Sequence, residues 1–178
     1  MMKVSKIRGF EMVSTFNNIN LPKRATKHAA GYDFEASEDV LIPSIWKSGV
    51  ANALKIALNK EQAFIDEAML KQMKPTLVPT GVKAYMGEEE FLQLCNRSSN
   101  PLKNFLLLGN GVGVIDSDYY NNDANEGHIM FQFLNFGLKD MTIKKGERIG
   151  QGIFLPFLKA DNDTTTMDRT GGFGSSGK

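Results

Sequence analysis

Two carboxylates and a phenol follow one short apolar segment in the middle of the chain. Residues 110–119 read Asn-Gly-Val-Gly-Val-Ile-Asp-Ser-Asp-Tyr, so Asp116 comes directly after two β-branched residues and Asp118 and Tyr119 come next. A carboxylate held at the end of a buried strand can act as a general base on water, and a ring beside it can pack against a flat or sugar-like ligand. An acidic turn that ends a strand would explain the same residues, and Asp-Ser-Asp taken alone favours that interpretation.

The C-terminal residues 169–177, Arg-Thr-Gly-Gly-Phe-Gly-Ser-Ser-Gly, form a second unusual segment. A disordered terminus would explain the glycines and serines, but it does not explain Arg169 and Phe173. Glycine backbone N–H groups and serine hydroxyls can surround a phosphate, a guanidinium neutralises phosphate charge, and a phenyl ring stacks on a base. A segment of this kind could close over a nucleotide.

Three shorter clusters are weak when taken singly. Gly31-Tyr32-Asp33 and Arg97-Ser98-Ser99 each read as a polar turn, although the second becomes a candidate phosphate site once a nucleotide is in view. Gln151 shares the strand parity of the apolar residues Ile149 and Ile153. A polar group on such a face needs a partner, which is either core backbone or a ligand.

The segments around these residues read mostly as strands. Glycines recur beside short apolar runs, a pattern that is typical of an all-β domain with frequent turns. Residues 129–136 and 149–157 read as strands, and residues 77–82 read as strand, turn and strand. We predict an all-β fold, a sandwich or jelly-roll-like barrel, in a single domain that spans residues 1–178.

Two segments depart from this pattern. Between Pro43 and Pro75 the apolar residues recur every three or four positions, which predicts a helical hairpin inserted at residues 44–75. Residues 161–178 are polar and rich in glycine, serine and threonine, and we predict a mobile C-terminal arm there.

Composition excludes several classes of protein. The 178 residues carry a net charge of +1, so no basic surface indicates nucleic-acid binding. The single cysteine, Cys95, indicates a reducing compartment, and no apolar run reaches the ~20 residues that a membrane span needs. We expect a cytoplasmic protein with no nucleic-acid or membrane partner.

The order of the five clusters is more specific than any one of them. Their sequence along the chain resembles the five-motif signature of the trimeric dUTP pyrophosphatase (dUTPase) family, in its Gram-positive bacterial and phage form. The third motif, residues 110–119, and the fifth motif, residues 169–177, carry most of the specificity. The chain departs from the family pattern at Asn96 and Asn100-Pro101 around the second motif, at Gly150 and Gly152 beside Gln151, and in a longer turn after Tyr119. The insert at residues 44–75 is the largest departure.

The resemblance implies a β jelly-roll homotrimer with active sites at the subunit interfaces. Such an enzyme hydrolyses dUTP to dUMP and pyrophosphate with Mg²⁺ as the cofactor. It implies that Asp116 is the general base, that Tyr119 packs under the deoxyribose and excludes a 2′-hydroxyl, and that Asp33 holds the metal through water. Uracil would be read by Asn110 and the backbone of the same hairpin, at Gly113, Val114 and Ile115.

The remaining assignments also follow from the resemblance. Arg97, Ser98, Ser99 and Gln151 would bind the phosphates. Phe173 would stack on uracil beside Gly174, while Arg169, Ser175 and Ser176 would close on the phosphate chain, Arg169 as the second catalytic residue.

Two alternatives remain open at this point. A dCTP deaminase has the same fold but needs a general acid or base directed at the base, and no carboxylate is assigned to that role. A regulatory protein could instead dock a partner protein on the insert 44–75, although such a hairpin more often buries its apolar residues on its own trimer.

Overall fold

The computed structural model describes residues 6–47, 74–167 and 169, and within these residues short strands alternate with turns. The strands are β1 Gly9–Met12, β2 Lys23–Arg24, β3 Tyr32–Glu35, β4 Val40–Ile42, β5 Thr76–Pro79, β6 Val82–Tyr85, β7 Glu90–Asn96, β8 Leu106–Leu108, β9 Gly113–Asp116, β10 Met130–Asn135, β11 Met141–Ile143 and β12 Arg148–Pro156. One short helix, α1 Ser99–Asn104, and a 3₁₀ helix, Ser117–Tyr119, lie among them. The predicted all-β class is confirmed.

The strands form four small antiparallel sheets, and the largest of them carries the candidate site. Its strand order is β2-β3-β12-β7-β9, and the other sheets are β5-β10-β8, β1-β6 and β11-β4. In the large sheet Gln151 lies opposite Asp33 on β3 and opposite Cys95 on β7. Asp116 lies opposite Phe91 on β7. The sheet register therefore places the predicted residues in two separate rows across the strands. One row contains Asp33, Gln151 and Cys95, and the other contains Phe91 and Asp116.

The core lies between these sheets and is built mainly from aromatic and aliphatic side chains. Phe34, Leu92, Phe131 and Phe133 have essentially no exposed surface. The rings of Phe34 and Phe131 pack with their centroids 5.6 Å apart. This packing holds the large sheet against β10, since Phe131 belongs to that strand.

Strand β12 presents glycines to this core. A Cβ atom on Gly150 would lie 2.0 Å from Cε1 of Phe131, and one on Gly152 would lie 2.7 Å from Cε2 of Phe34. Bulky residues cannot stand at these positions, because the phenylalanine rings already fill the space. The departure from the family pattern beside Gln151 thus has a packing reason.

The apolar residues of one parity along β12 do not form its core face. The pairing register shifts between Arg148 and Gly150, and Ile149 is buried at that irregularity, whereas Ile153 and Leu155 are only half-buried. They lie on the outward face of the sheet with Phe91 on the neighbouring strand. The large sheet consequently exposes apolar surface on the side that carries Asp116 and Gln151.

The insert and most of the arm fall outside the described residues. The chain begins a helical turn at residues 46–47, where the Trp46 indole Nε1 donates to the Phe136 carbonyl at 2.9 Å, and the described chain resumes at Lys74 before β5. Residues 48–73 contain most of the predicted helical hairpin 44–75, which stays a prediction. The predicted mobility of residues 161–178 also stays a prediction, although residues 161–167 are exposed. No helix in the described ranges is long and apolar enough to cross a membrane.

Candidate active site

A cavity of about 370 Å³ lies beside strand β9 and contains most of the third predicted motif. Strand β9 follows a tight turn in which Gly111 has a φ of 70°, a conformation that favours glycine. It ends at Asp116, and the 3₁₀ helix then brings Tyr119 back to the same cavity. The strand is only partly buried, since Gly113 is buried whereas Val114 is 56% exposed. The strand lies at the edge of its sheet, so one side of it faces solvent.

The cavity combines predicted residues with several that the sequence analysis missed. The predicted residues in its lining are Asn110, Gly113, Val114, Ile115, Asp116, Tyr119 and Arg169. The missed residues are Leu94, His128, Met130 and Gln132. Met130 and Gln132 are half-buried positions of β10 that alternate with buried phenylalanines, so their strand parity was a usable signal. Leu94 gave none, since it reads as an ordinary core residue.

Asp116 and Asp118 both bind one guanidinium in the cavity. Nη2 of Arg169 forms a short ion pair with Asp116, and Nε of Arg169 donates to Asp118 at 2.7 Å. The Asp116 side chain is 48% exposed, while that of Arg169 is 18% exposed. The guanidinium also lies over the Tyr119 ring, 5.7 Å from its centroid. The structure therefore brings the two proposed catalytic residues together, and it gives Asp118 a partner that the sequence did not indicate.

Tyr119 is held from behind by the turn that follows it. Its hydroxyl donates to the His128 carbonyl at 3.1 Å and accepts from the Asn125 amide at 2.8 Å. The side chain is almost completely buried. The ring is consequently a rigid wall of the cavity, as a platform for a sugar would need to be.

His128 is a structural residue, although it lines the cavity. Its Nε2 accepts a hydrogen bond from the Gly81 backbone N–H at 2.9 Å, and its ring packs against Phe16. Burial lowers the pKa of His128, because removal from water disfavours the charged imidazolium, while nearby Glu126 acts in the opposite direction. A neutral ring is the form that can accept the Gly81 bond. His28 is exposed.

A second polar cluster lies farther along the same sheet, around Asp33. Gln151 Nε2 donates to one Asp33 oxygen at 2.9 Å, and Arg148 pairs with the other at 3.1 Å. The partner that Gln151 requires is thus a carboxylate on the adjacent strand. Gly31 leaves the space for this contact, since a Cβ atom there would lie 3.1 Å from Cβ of Gln151.

Asn96 and Asn100 attach the second motif to this cluster. The buried Asn100 amide donates to the Ile149 carbonyl and to Asn96 Oδ1, both at 2.8 Å, and Asn96 donates to the Leu106 carbonyl at 3.0 Å. Arg97 Nη1 donates to the Arg148 carbonyl at 2.8 Å, which brings its guanidinium to the Asp33 cluster. The residues that depart from the family pattern here therefore fix the local geometry.

The two serines of this motif are available for a ligand. Ser98 is exposed, Ser99 is half-buried, and the Ser98 side chain makes no capping hydrogen bond to α1. Their hydroxyls lie on the turn that follows β7, beside Arg97. The arrangement presents one guanidinium and two hydroxyls at the end of β7, which is a donor set suited to phosphate.

The cavity and the Asp33 cluster do not meet within one chain. Asp116 pairs with Phe91 and Gln151 with Cys95, so the two rows are separated by roughly 13 Å along the strands and roughly 10 Å across them, at the usual rise and spacing of a sheet. All four positions share the outward face, because strand residues two or four apart point the same way. A single small ligand group cannot touch both sets in one chain.

The remaining predicted residues are not described. Phe173, Gly174, Ser175 and Ser176 lie outside the described ranges, and of the fifth motif only Arg169 is described. No group of three or more histidine, cysteine or acidic residues that could hold a metal ion occurs in the described part of the chain. Asp33 is a single carboxylate, which suits a metal held mainly by other ligands.

The chain resembles characterised proteins over most of its length. A family model described as dUTPase matches residues 63–177. A deoxyuridine 5′-triphosphate nucleotidohydrolase from Lactococcus lactis subsp. lactis is 47% identical over 176 residues, which cover 97% of this chain and 99% of that protein. The corresponding protein of Photorhabdus laumondii is 34% identical and covers 89% of this chain and 87% of its own length.

Solved structures agree with these matches. The crystal structure of a dUTPase from Streptococcus mutans superposes with a TM-score of 0.69 at 43% identity, over 86% of this chain and 98% of that one. A dUTPase of the Staphylococcus aureus phage phi11 is only 15% identical, yet it shares the fold with a TM-score of 0.61 over 90% of this chain and 97% of its own. The jelly-roll-like fold is thereby confirmed. With a family model over more than half of its residues and a close relative along nearly its whole length, this chain belongs to the dUTPase family.

Proposed function

We propose that this chain hydrolyses dUTP to dUMP and pyrophosphate, with Mg²⁺ and as a homotrimer. The observation that carries the proposal is the cavity at the end of β9, where one accessible carboxylate, Asp116, faces a locked phenol, Tyr119, and a guanidinium, Arg169. The reaction limits the incorporation of uracil into DNA and supplies dUMP for the synthesis of dTMP.

Asp116 acts as the general base. It accepts a proton from a water molecule while the oxygen of that water bonds to the α-phosphorus. The bond between the α-phosphorus and the oxygen that bridges to the β-phosphate breaks, and pyrophosphate leaves with its electron pair. Phosphoryl transfer leaves little covalent chemistry for the protein, so the placement of Asp116 at the end of a strand accounts for most of its role.

Uracil is read by the edge of β9. This strand pairs with β7 on one side, and no described strand pairs with its other side. Backbone groups of Gly113, Val114 and Ile115 on that free edge suit the hydrogen-bonding edge of a pyrimidine, because an unpaired strand edge offers alternating donors and acceptors. Asn110 at the start of the hairpin supplies the side-chain contact, and the Tyr119 ring packs against the deoxyribose.

The phosphates extend to residues of a neighbouring subunit. Arg97, Ser98, Ser99 and Gln151 are the donor set, and the separation of the two rows in one chain supports a site shared between chains. The outward sheet face between the rows is mostly apolar, with Gln93 as a polar exception, and Val114 at 56% and Phe157 at 39% exposure belong to it. Such a face favours burial against another copy.

Arg169 changes partners when the substrate binds. In the structure it pairs with Asp116 and Asp118. A triphosphate offers the guanidinium a stronger acceptor, so Arg169 moves to the phosphate chain and frees Asp116 to hold water. Phe173 then stacks on uracil, and Gly174, Ser175 and Ser176 close around the phosphates.

Asp33 would hold the Mg²⁺ ion through water. Magnesium keeps several waters and binds mainly through the triphosphate, so a single carboxylate in the Asp33 cluster is a sufficient protein ligand. When bound, the ion neutralises phosphate charge and orients the α-phosphate for attack. The insert 44–75 is not required by any of these steps, and a protein partner docked there would act beside the enzyme activity.

The test measures pyrophosphate release from dUTP, dTTP, UTP and dCTP by purified protein with Mg²⁺. We expect fast release from dUTP and at least a hundredfold lower kcat/KM for dTTP and UTP, since a pocket built to read one base and sugar rejects others by roughly this factor or more. Ultraviolet absorbance follows dCTP in parallel. Conversion of dCTP to dUTP without pyrophosphate release would show that the chain is a deaminase instead.

A further inference from the structure

The turn at residues 120–127 is longer than the dUTPase family pattern requires, and two of its asparagines, Asn122 and Asn125, bond to Tyr119. Asn122 Nδ2 donates to the Tyr119 carbonyl at 2.8 Å and to Asn125 Oδ1 at 2.9 Å. Asn125 then donates to the Tyr119 hydroxyl at 2.8 Å. The turn is therefore built around Tyr119 at both its backbone and its side chain.

The orientation of the Asn125 amide follows from its other partners. The Gly127 backbone N–H reaches Asn125 Oδ1 at 3.1 Å, and a backbone N–H can only donate. The oxygen must therefore face Gly127, so the NH₂ group faces the phenol. Gly127 can come this close because it has a φ of 82° and no Cβ, which would lie 2.5 Å from the Tyr119 carbonyl oxygen.

The Tyr119 hydroxyl is consequently committed inside the protein. The His128 carbonyl can only accept, so the phenol gives it its single proton, and the Asn125 NH₂ occupies a lone pair. An incoming sugar meets the ring but finds no proton to accept from it.

A charged clamp holds this turn from outside. The Glu126 carboxylate accepts from Ser14 through its hydroxyl and backbone N–H and from Lys83 Nζ at 2.9 Å. Lys83 is nearly buried and also donates to Asn121 Oδ1 at 2.7 Å. These residues lie behind the turn, so they can act on the substrate only by fixing the position of Asn125 and Tyr119.

We propose that Asn125 is a positioning residue that sets sugar specificity. Its NH₂ group donates to the Tyr119 hydroxyl oxygen, so this oxygen does not accept a hydrogen bond from a ribose 2′-hydroxyl. A ribonucleotide therefore loses the hydrogen bonds of its 2′-hydroxyl to water on binding and gains none from Tyr119. A buried polar group left without a partner costs enough to discriminate between two substrates. The inference rests on the proposed function, because it takes Tyr119 to be the sugar platform of a dUTP-hydrolysing site.

The variant Asn125→Asp isolates the contact. A carboxylate keeps the bonds accepted from Asn122 and Gly127, but its second oxygen cannot donate to the phenol and instead competes with the His128 carbonyl for the phenol's proton. The phenol then keeps a free lone pair that a 2′-hydroxyl can use. We expect the ratio of kcat/KM for dUTP over UTP to fall roughly fivefold to tenfold, the worth of one hydrogen bond, with kcat for dUTP within about twofold of wild type.

Three further variants make the result specific. Asp123→Asn changes a charge in the same turn on an exposed side chain and should leave the ratio unchanged. In the Tyr119→Phe background, Asn125→Asp should have no further effect, because no hydroxyl remains to be released. Glu126→Gln weakens the contacts to Ser14 and Lys83 and should lower the ratio of kcat/KM for dUTP over UTP by a smaller factor. This variant provides a second test if Asn125→Asp folds poorly.

The outcomes separate the inference from the proposed function. If wild-type protein releases no pyrophosphate from dUTP, the proposed function is wrong. If wild type prefers dUTP but Asn125→Asp retains the wild-type ratio, or shifts it equally in the Tyr119→Phe background, the positioning role is wrong. A drop in melting temperature with equal losses on both nucleotides would also overturn it, since that is the result of a merely structural role.

Discussion

Asp116 and Asp33 lie on the same face of one sheet, yet their surroundings differ. Asp116 is half-exposed and bonded to a residue of the C-terminal segment, whereas the Asp33 side chain is 10% exposed and has partners on β12 for both of its oxygens. A carboxylate whose partner comes from a chain end can exchange that partner for a substrate. A carboxylate held within the sheet by two side chains keeps its geometry. The cavity is thus suited to chemistry and the Asp33 cluster to positioning.

The largest effect should come from Asp116→Asn. The amide keeps the shape of the side chain but cannot take a proton, so kcat should fall roughly a thousandfold, within the range known for the loss of a general base. Binding of a non-hydrolysable dUTP analogue, measured by calorimetry, should change by less than about tenfold.

Asp118→Asn is the matched control for that change. It removes the other carboxylate that pairs with Arg169, and we expect kcat to stay within about tenfold of wild type, because Asp118 does not activate water. Equal losses in the two variants would erase the distinction between Asp116 and its neighbour.

Mixed oligomers test whether the two regions act across chains. Asp116→Asn inactivates the cavity, and Gln151→Glu places a second negative charge beside Asp33 and the phosphates, so each variant alone should lose at least about a hundredfold in kcat/KM. Co-expressed with different tags, the two variants should recover about a quarter of wild-type activity. Random assembly places an intact Asp116 from one chain beside an intact Gln151 from its neighbour in about one site of four. Sites contained within single chains would show no recovery, since every chain carries one defect.

The smallest effect concerns the support of the cavity. Hydrogen bonds to the Glu126 carboxylate lower its pKa from 4.5 to about 2, with the largest contribution from the Ser14 side chain and the next largest from Lys83. A carboxyl with a lowered pKa in the folded state adds stability above its unfolded pKa, and this contribution is lost as the pH falls towards the folded value. The melting temperature of wild type should therefore exceed that of Glu126→Gln above pH 4.5, and the difference should shrink as the pH falls from 4.5 through about 2.

Calorimetric melting at a series of pH values makes this measurement. Asp123→Asn, an exposed change in the same turn, is the control and should leave the melting temperature at neutral pH close to that of wild type. A difference between wild type and Glu126→Gln that is constant with pH would mean that the Glu126 contacts do not depend on its charge.

Local pattern was enough to predict much of the fold and the residue types of the site. Strands β10 and β12 lie within a few residues of the predicted segments, because alternating apolar residues and turn glycines act over short distances. The core face of β12 could not be predicted from the sequence. Gly150 and Gly152 lie on that face, and the space beside them is filled by Phe131 and Phe34, which come from other strands.

The all-β class and the family could be read from the sequence alone, and motif position nominated Asp116, Tyr119 and Arg169 as candidate site residues. Which of these residues are in contact depends on the tertiary structure. It placed Arg169 on Asp116 and Asp118, gave Gln151 its Asp33 partner, and locked the Tyr119 hydroxyl with Asn125. Sheet register and side-chain contacts join residues that are far apart in the chain, and no local pattern records such pairings.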